Sequence, residues 1–129
     1  MHPRVAYKIL TADQMRALEE DRFEGAPIDI ADRYIHLSTA EQVAGTVDAH
    51  FAGRDGLYLA AIDLAAAGDA IRWEPSRGGA LFPHLYGRLT KALVLAAAPL
   101  TRNAAGAPIL PGPPHASDLG GENGGRGKD

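Results

Sequence analysis

The segment Trp73-Glu74-Pro75-Ser76-Arg77-Gly78-Gly79-Ala80-Leu81-Phe82-Pro83-His84-Leu85-Tyr86-Gly87 decides what the second half of this chain can become. Its two prolines lack the backbone donor that a helix interior needs, and its paired glycines favour a turn. The polypeptide must cross this stretch as extended chain and tight turns. The same residues bring together the only tryptophan, a carboxylate, a hydroxyl, a guanidinium, an imidazole and a phenol. A surface loop needs turn formers but has no use for that set, whereas a ligand site needs polar groups held on a stiff backbone. Function is expected here.

The rest of the chain reads as short elements around this segment. Val5 to Leu10 is a buried strand, followed by a helix from Thr11 to about Glu20 in which Thr11 and Gln14 have the spacing of a capping box. Gly25 to Asp32, with glycine, proline and two aspartates, reads as a loop able to carry a lid. Arg33 to Ser38 reads as a second strand. Alternation puts Tyr34, His36 and Ser38 on one face and Ile35 and Leu37 on the other, so the aliphatic face belongs to the core and the polar face to a cleft or solvent. Ser38 with Glu41, or Thr39 with Gln42, caps the next helix, which runs to about Phe51. Its apolar stripe is Ala40, Val43, Ala44, Val47 and Phe51, with His50 at the edge. Gly45 weakens the middle of that helix by about 1 kcal/mol relative to alanine. Gly53 to Gly56 is a turn, Leu57 to Leu64 a buried strand, and Ala65 to Asp69 one helical turn. Ile71 to Glu74 is a brief strand, His84 to Leu89 extended chain and Lys91 to Pro99 the last strand.

Helices early and strands late, without regular alternation, point to an α+β domain with a mainly antiparallel sheet and two or three helices. With 129 residues there is room for one core, so 1–100 is expected to form a single globular domain. The remainder, 101–129, is a Gly/Pro-rich tail whose end cannot bury enough apolar surface to offset its ordering entropy and is expected to be disordered. The chain has no cysteine, which excludes disulfides and thiolate metal sites. A net charge of -3 and the lack of a Lys/Arg run give no general attraction for DNA or an anionic membrane. The apolar stretches are too short for a membrane span, and the amino terminus lacks a signal pattern, so a cytoplasmic location is expected. The oligomeric state is left open.

Two groups of residues can carry chemistry. His36 and Ser38, two apart on one strand face, both donate and accept, which suits a ribose diol or a carboxamide. Their structural alternative is a strand tie and a helix cap. The second group is Glu74, Ser76, Arg77, His84 and Tyr86. A guanidinium on a glycine-bearing turn suits a phosphate or carboxylate, Glu74 can stabilise positive charge or act as base, and His84 can transfer protons near neutral pH. The alternative is a Glu74–Arg77 ion pair that only fastens the loop. In extended chain Phe82, His84 and Tyr86 share one face. Three histidines, His36, His50 and His84, would complete a catalytic zinc site if they converged, but their spacing matches no metal motif and no metal is expected. Neither Ser38 nor Ser76 sits in a G-x-S-x-G elbow.

Tyr7-Lys8-Ile9-Leu10, Ile35-His36-Leu37-Ser38-Thr39-Ala40-Glu41-Gln42-Val43, His50-Phe51 and the run from Arg72 to Gly87 resemble a bacterial and plant family catalogued as domain of unknown function nine hundred fifty-two. The resemblance covers 5 to about 100. That family is similar in fold to the ADP-ribosyltransferases, a split antiparallel α+β sheet around a cleft for NAD. The resemblance implies NAD or an ADP-ribose-like nucleotide as ligand, a small phosphorylated molecule in any case. It implies that His36 holds the adenosine-side ribose, that Tyr86 or Trp73 stacks on nicotinamide and that Arg77 holds the diphosphate, with Ser38, His50 and Ser76 completing the cleft. Glu74 would stabilise the oxocarbenium-like state of ADP-ribosyl transfer. The family's usual catalytic glutamate follows the last strands, and this chain has no Glu between Glu74 and Glu122. A His-based variant, resembling transferases that remove a phosphate from RNA with NAD, needs no such glutamate. Two other readings are a non-catalytic interaction module anchored by Trp73, Phe82 and Tyr86, and a His-based metal hydrolase.

Overall fold

The computed structural model describes residues 2–112. Among them the elements run β1 (Val5–Leu10), α1 (Ala12–Glu19), α2 (Pro27–Asp32), β2 (Ile35–His36), α3 (Val43–His50), β3 (Tyr58–Asp63), α4 (Leu64–Ala67), β4 (Ile71–Pro75), β5 (Leu81–Leu85) and β6 (Val94–Pro99). The strands form two three-stranded antiparallel sheets, ordered β1-β3-β6 and β2-β5-β4. The α+β class with antiparallel sheets holds, with four α-helices in place of two or three.

In the first sheet β1 and β3 are buried on both faces, which is why β3 reads as a nearly continuous apolar run. Ala60 and Ile62 join Ala6, Leu10, Leu18 and Phe23 in one core cluster. Leu59 and Ala61 join Tyr7, Ile9, Val43 and Val47 in the other. The α1 capping box forms as its spacing requires, with the Gln14 amide donating to Thr11 Oγ1 at 3.2 Å and the Thr11 amide to Gln14 Oε1 at 2.9 Å.

The Pro/Gly segment is a β-hairpin. Trp73 pairs with Pro83 and Glu74 with Phe82, and Gly78 and Gly79 turn the chain at φ 70° and 81°. Pro83 sits in the middle strand, where it supplies no donor, but its carbonyl accepts from the Leu37 amide at 3.2 Å. The two sheets are joined by a bridge between Tyr7 and Ser38, whose amides donate to each other's carbonyls at 2.7 and 2.9 Å.

Several expectations need correction. Gly25 to Asp32 is not all loop. Pro27 opens α2, the Ala26 amide donates to Asp29 Oδ2 at 2.8 Å, and Arg33 ends the helix at φ 70°. That left-handed residue also shortens the second strand to Ile35–His36. The α3 helix starts at Val43, three residues late, although Gln42 Oε1 still accepts from the Thr39 amide at 3.0 Å. The strand expected from His84 begins at Leu81, and the last strand begins at Val94 after a short 3-10 turn. The start of the tail is also structured, since Arg102 bridges to Pro108 and Leu110 packs on the second core cluster. The disorder expected for the tail's end concerns 113–129, outside the described residues. Among the described residues no helix is long and apolar enough to cross a membrane.

Candidate functional site

A cavity of about 300 Å³ opens where the Tyr7–Ser38 bridge holds the sheets together. β1, α2, the β2 strand, α3 and the β4–β5 hairpin all contribute to its wall. Six of the nine residues singled out in the sequence line it: His36, Ser38, His50, Ser76, Arg77 and His84. Lys8 and Arg54 line it too, while among the described residues no aspartate or glutamate does. Arg54 and Arg77 bring guanidinium groups to this wall, whereas the Lys8 charge is paired with Asp29 behind it.

His36 belongs to a closed network. Its Nδ1 lies 2.7 Å from Asp29 Oδ1 and its Nε2 2.9 Å from Asp32 Oδ2. Donation to both needs a proton on each nitrogen. Asp29, 2% exposed, also accepts from the His36 amide at 2.9 Å and pairs with buried Lys8 at 2.8 Å. Lys8 donates further to the His36 carbonyl at 3.0 Å. Burial works against the Asp29 charge, but the His36 hydrogen bonds and the Lys8 charge outweigh it and hold the carboxyl at about 2. Burial pushes the Lys8 ammonium down in spite of Asp29. Both His36 nitrogens face carboxylates of α2, which ties that helix to β2.

His84 is placed differently. It is the register partner of both His36 and Arg72 in the central strand β5. Its Nδ1 lies 2.7 Å from Glu74 Oε1, and the Tyr86 hydroxyl donates to the same oxygen at 2.8 Å. These donors, His84 first, hold the Glu74 carboxyl below its ordinary range, and donation to Glu74 pushes the Tyr86 phenol up. The imidazole stacks on Tyr34 at 4.1 Å and meets the His36 ring edge-on at 5.5 Å. Its Nε2 has no hydrogen-bond partner among the described residues.

The Glu74–Arg77 ion pair does not form. Glu74 turns to His84 and Tyr86, while Arg77 lies over the Phe82 ring at 5.0 Å and donates to Thr46 Oγ1 at 3.3 Å. Thr46 in turn lies 2.8 Å from Ser38 Oγ. Gly45 now has a reason, because a Cβ there would stand 2.9 Å from an Arg77 guanidinium nitrogen. The helix accepts the cost of a glycine to let the arginine lie against it.

Trp73 does not join the cavity, which corrects its expected stacking role. It points to the core side of β4, packs on the first core cluster and stacks on His2 at 4.0 Å. Phe82 is 7% exposed and Tyr86 is tied to Glu74. Trp73 and Tyr86 are half-buried. His36, His50 and His84 do meet at one cavity, yet among the described residues no group of three His, Cys, Asp or Glu side chains is placed to hold a metal ion.

Sequence reasoning missed Lys8, Asp29, Thr46 and Arg54. A signal existed for one of them: Gln42, Thr46 and His50 recur at every fourth position, a polar stripe beside the apolar one. Lys8 and Asp29 sat in segments read as core and loop, where only the fold reveals that they meet.

A family profile described as "Protein of unknown function (DUF952)" matches residues 9–97. No match is found among the curated proteins. The X-ray structure of protein CC0527 from Caulobacter crescentus is similar at 42% identity, over 81% of this chain and 93% of that one, with a TM-score of 0.73. The solution NMR structure of CC0527 agrees, at the same identity, over 81% and 91% of the two chains, with a TM-score of 0.69.

Proposed function

The chain belongs to the DUF952 family, and from the pocket it builds we propose that it binds a small phosphorylated ligand, with a nucleotide of the NAD or ADP-ribose type as the leading occupant. One observation carries this reading: among the described residues Arg54 and Arg77 line the cavity and no carboxylate does. A guanidinium without a carboxylate partner keeps its donor fork for a ligand, and phosphate is the anion that fork fits best. Arg77 and Arg54 rest on aromatic rings, Phe82 at 5.0 Å and Phe51 at 5.7 Å, which hold them in place without neutralising them. The Ser38 and Thr46 hydroxyls bond each other at 2.8 Å on the same wall and help to hold Arg77 there. A cavity of about 300 Å³ is at the small end for ligand sites, so a mononucleotide fits within it and a dinucleotide extends beyond it.

Of the two transfer reactions, phosphate transfer suits this wall better than ADP-ribosyl transfer. Glu74 is engaged by His84 and Tyr86 and is not on the lining, so no carboxylate stands ready for an oxocarbenium-like state. Phosphorylated metabolites are retained behind the cell membrane, so the reading carries a cytoplasmic location with it. Titration of labelled protein with inorganic phosphate, AMP, ADP-ribose and NAD tests the proposal. Amides near residues 38, 77 and 84 are expected to shift at millimolar ligand; a spectrum that stays still for all four removes it.

A further inference from the structure

We infer that the pocket is a catalytic site that hydrolyses phosphate monoesters, with His84 Nε2 as the atom that carries the proton. The inference rests on the anion-binding reading above and adds a reaction to it.

The decisive feature is a buried nitrogen with nothing to bond among the described residues. The His84 side chain is 3% exposed and lines the cavity, its Nδ1 is held 2.7 Å from Glu74, and Nε2 has no partner among the described residues. A buried polar atom left without a hydrogen bond is costly, and folds tolerate it where a ligand or reacting group is meant to supply the partner. Glu74 fixes more than position. A carboxylate facing Nδ1 accepts the ring proton there, so the neutral imidazole carries its lone pair on Nε2, the side of a base. Tyr86 donates to the same Glu74 oxygen at 2.8 Å and holds it in place.

The wall selects the reaction. Departure of a sugar from its base calls for negative charge beside the anomeric carbon, and among the described residues the lining contains none. A phosphoryl group in transit spreads negative charge over its oxygens, which guanidinium groups stabilise. Arg77 reaches the cavity across Phe82, two residues from His84 on the same strand face. In the step, a water oxygen bonds to phosphorus while the phosphorus–oxygen bond to the alcohol breaks. Nε2 takes the proton from the attacking water and passes it to solvent, while the departing oxygen, on the far side of phosphorus, draws its proton from solvent. The products are the alcohol and inorganic phosphate, and water is the sole co-reactant. Glu74 and Tyr86 touch no substrate and act as positioning residues through His84.

The full chain is assayed with p-nitrophenyl phosphate and AMP, following release of inorganic phosphate. Turnover is expected, with a pH–rate profile whose acid limb disappears in H84Q and with kcat lower in that variant by about 100-fold or more. Inorganic phosphate should still shift the amides near residues 38 and 77 in H84Q, which also reports that the variant is folded. E74Q is expected to lower kcat by roughly tenfold at nearly constant KM and to move the acid limb. If phosphate binds but the parent chain releases no more product than H84Q, the hydrolytic inference is overturned and the binding reading stands. Absence of both phosphate binding and turnover removes both. An E74Q variant with unchanged kcat and pH profile removes the positioning role of Glu74.

Discussion

His36 and His84 are register partners on adjacent strands, their rings 5.5 Å apart, and both line one cavity. Their surroundings differ in the number of carboxylates. His36 meets two, one on each nitrogen, and behind it Lys8 completes a buried cluster around Asp29. His84 meets one, shared with Tyr86, and among the described residues its other nitrogen has no partner. The difference separates fastening from chemistry. A ring whose nitrogens are both satisfied holds α2 to β2, whereas a ring fixed on one side only is oriented and still able to react.

The comparison is broken most severely at Asp29. D29A leaves buried Lys8 without its charge partner and strips acceptors from the Ala26 and His36 amides. A loss of about 3–5 kcal/mol is expected in urea unfolding. No comparable loss is expected from E74Q, because its partner His84 keeps the cavity beside it; the denaturation midpoint should hold while the kinetic effects above appear.

Acid sharpens the same contrast. The Asp29 carboxyl lies near 3.8 when unfolded and at about 2 when folded, so between those values the unfolded chain binds more protons. Its contribution, about 2 kcal/mol, is present above roughly pH 5 and is lost as the pH falls toward 2. Unfolding curves taken across that range should show the loss in the parent chain and not in D29N.

The smallest expected effect separates binding from stability. Alanine at Gly45 improves helix propensity by about 1 kcal/mol, but its Cβ displaces the Arg77 guanidinium 2.9 Å away. The end of a flexible side chain yields easily. G45A should therefore unfold no more readily than the parent while binding inorganic phosphate several-fold more weakly, as read by amide shifts.

Local rules were legible in the sequence where neighbours along the chain satisfy one another. Thr11 and Gln14 cap α1 as their spacing requires, and the apolar run of β3 is buried on both faces. The α2 helix was not legible, because six residues with a proline and two aspartates have little helical preference of their own. It stands because Asp29 is drawn inward by Lys8, 21 residues away. Trp73 was misplaced for a different reason. Its alternation with Ile71 already marked the core face, and its chemistry as an aromatic was given more weight than its position.

The sequence by itself determined the α+β class and the extended path through Trp73 to Gly87. These follow from steric limits on proline and glycine and from the two-residue period of a strand, both local. Only the tertiary structure decided which carboxylate faces which ring: Asp29 and Asp32 on His36, Glu74 on His84 and none on Arg77. Pairing between charges depends on distance through space, and distance is set when β1, α2 and the hairpin close around the cavity.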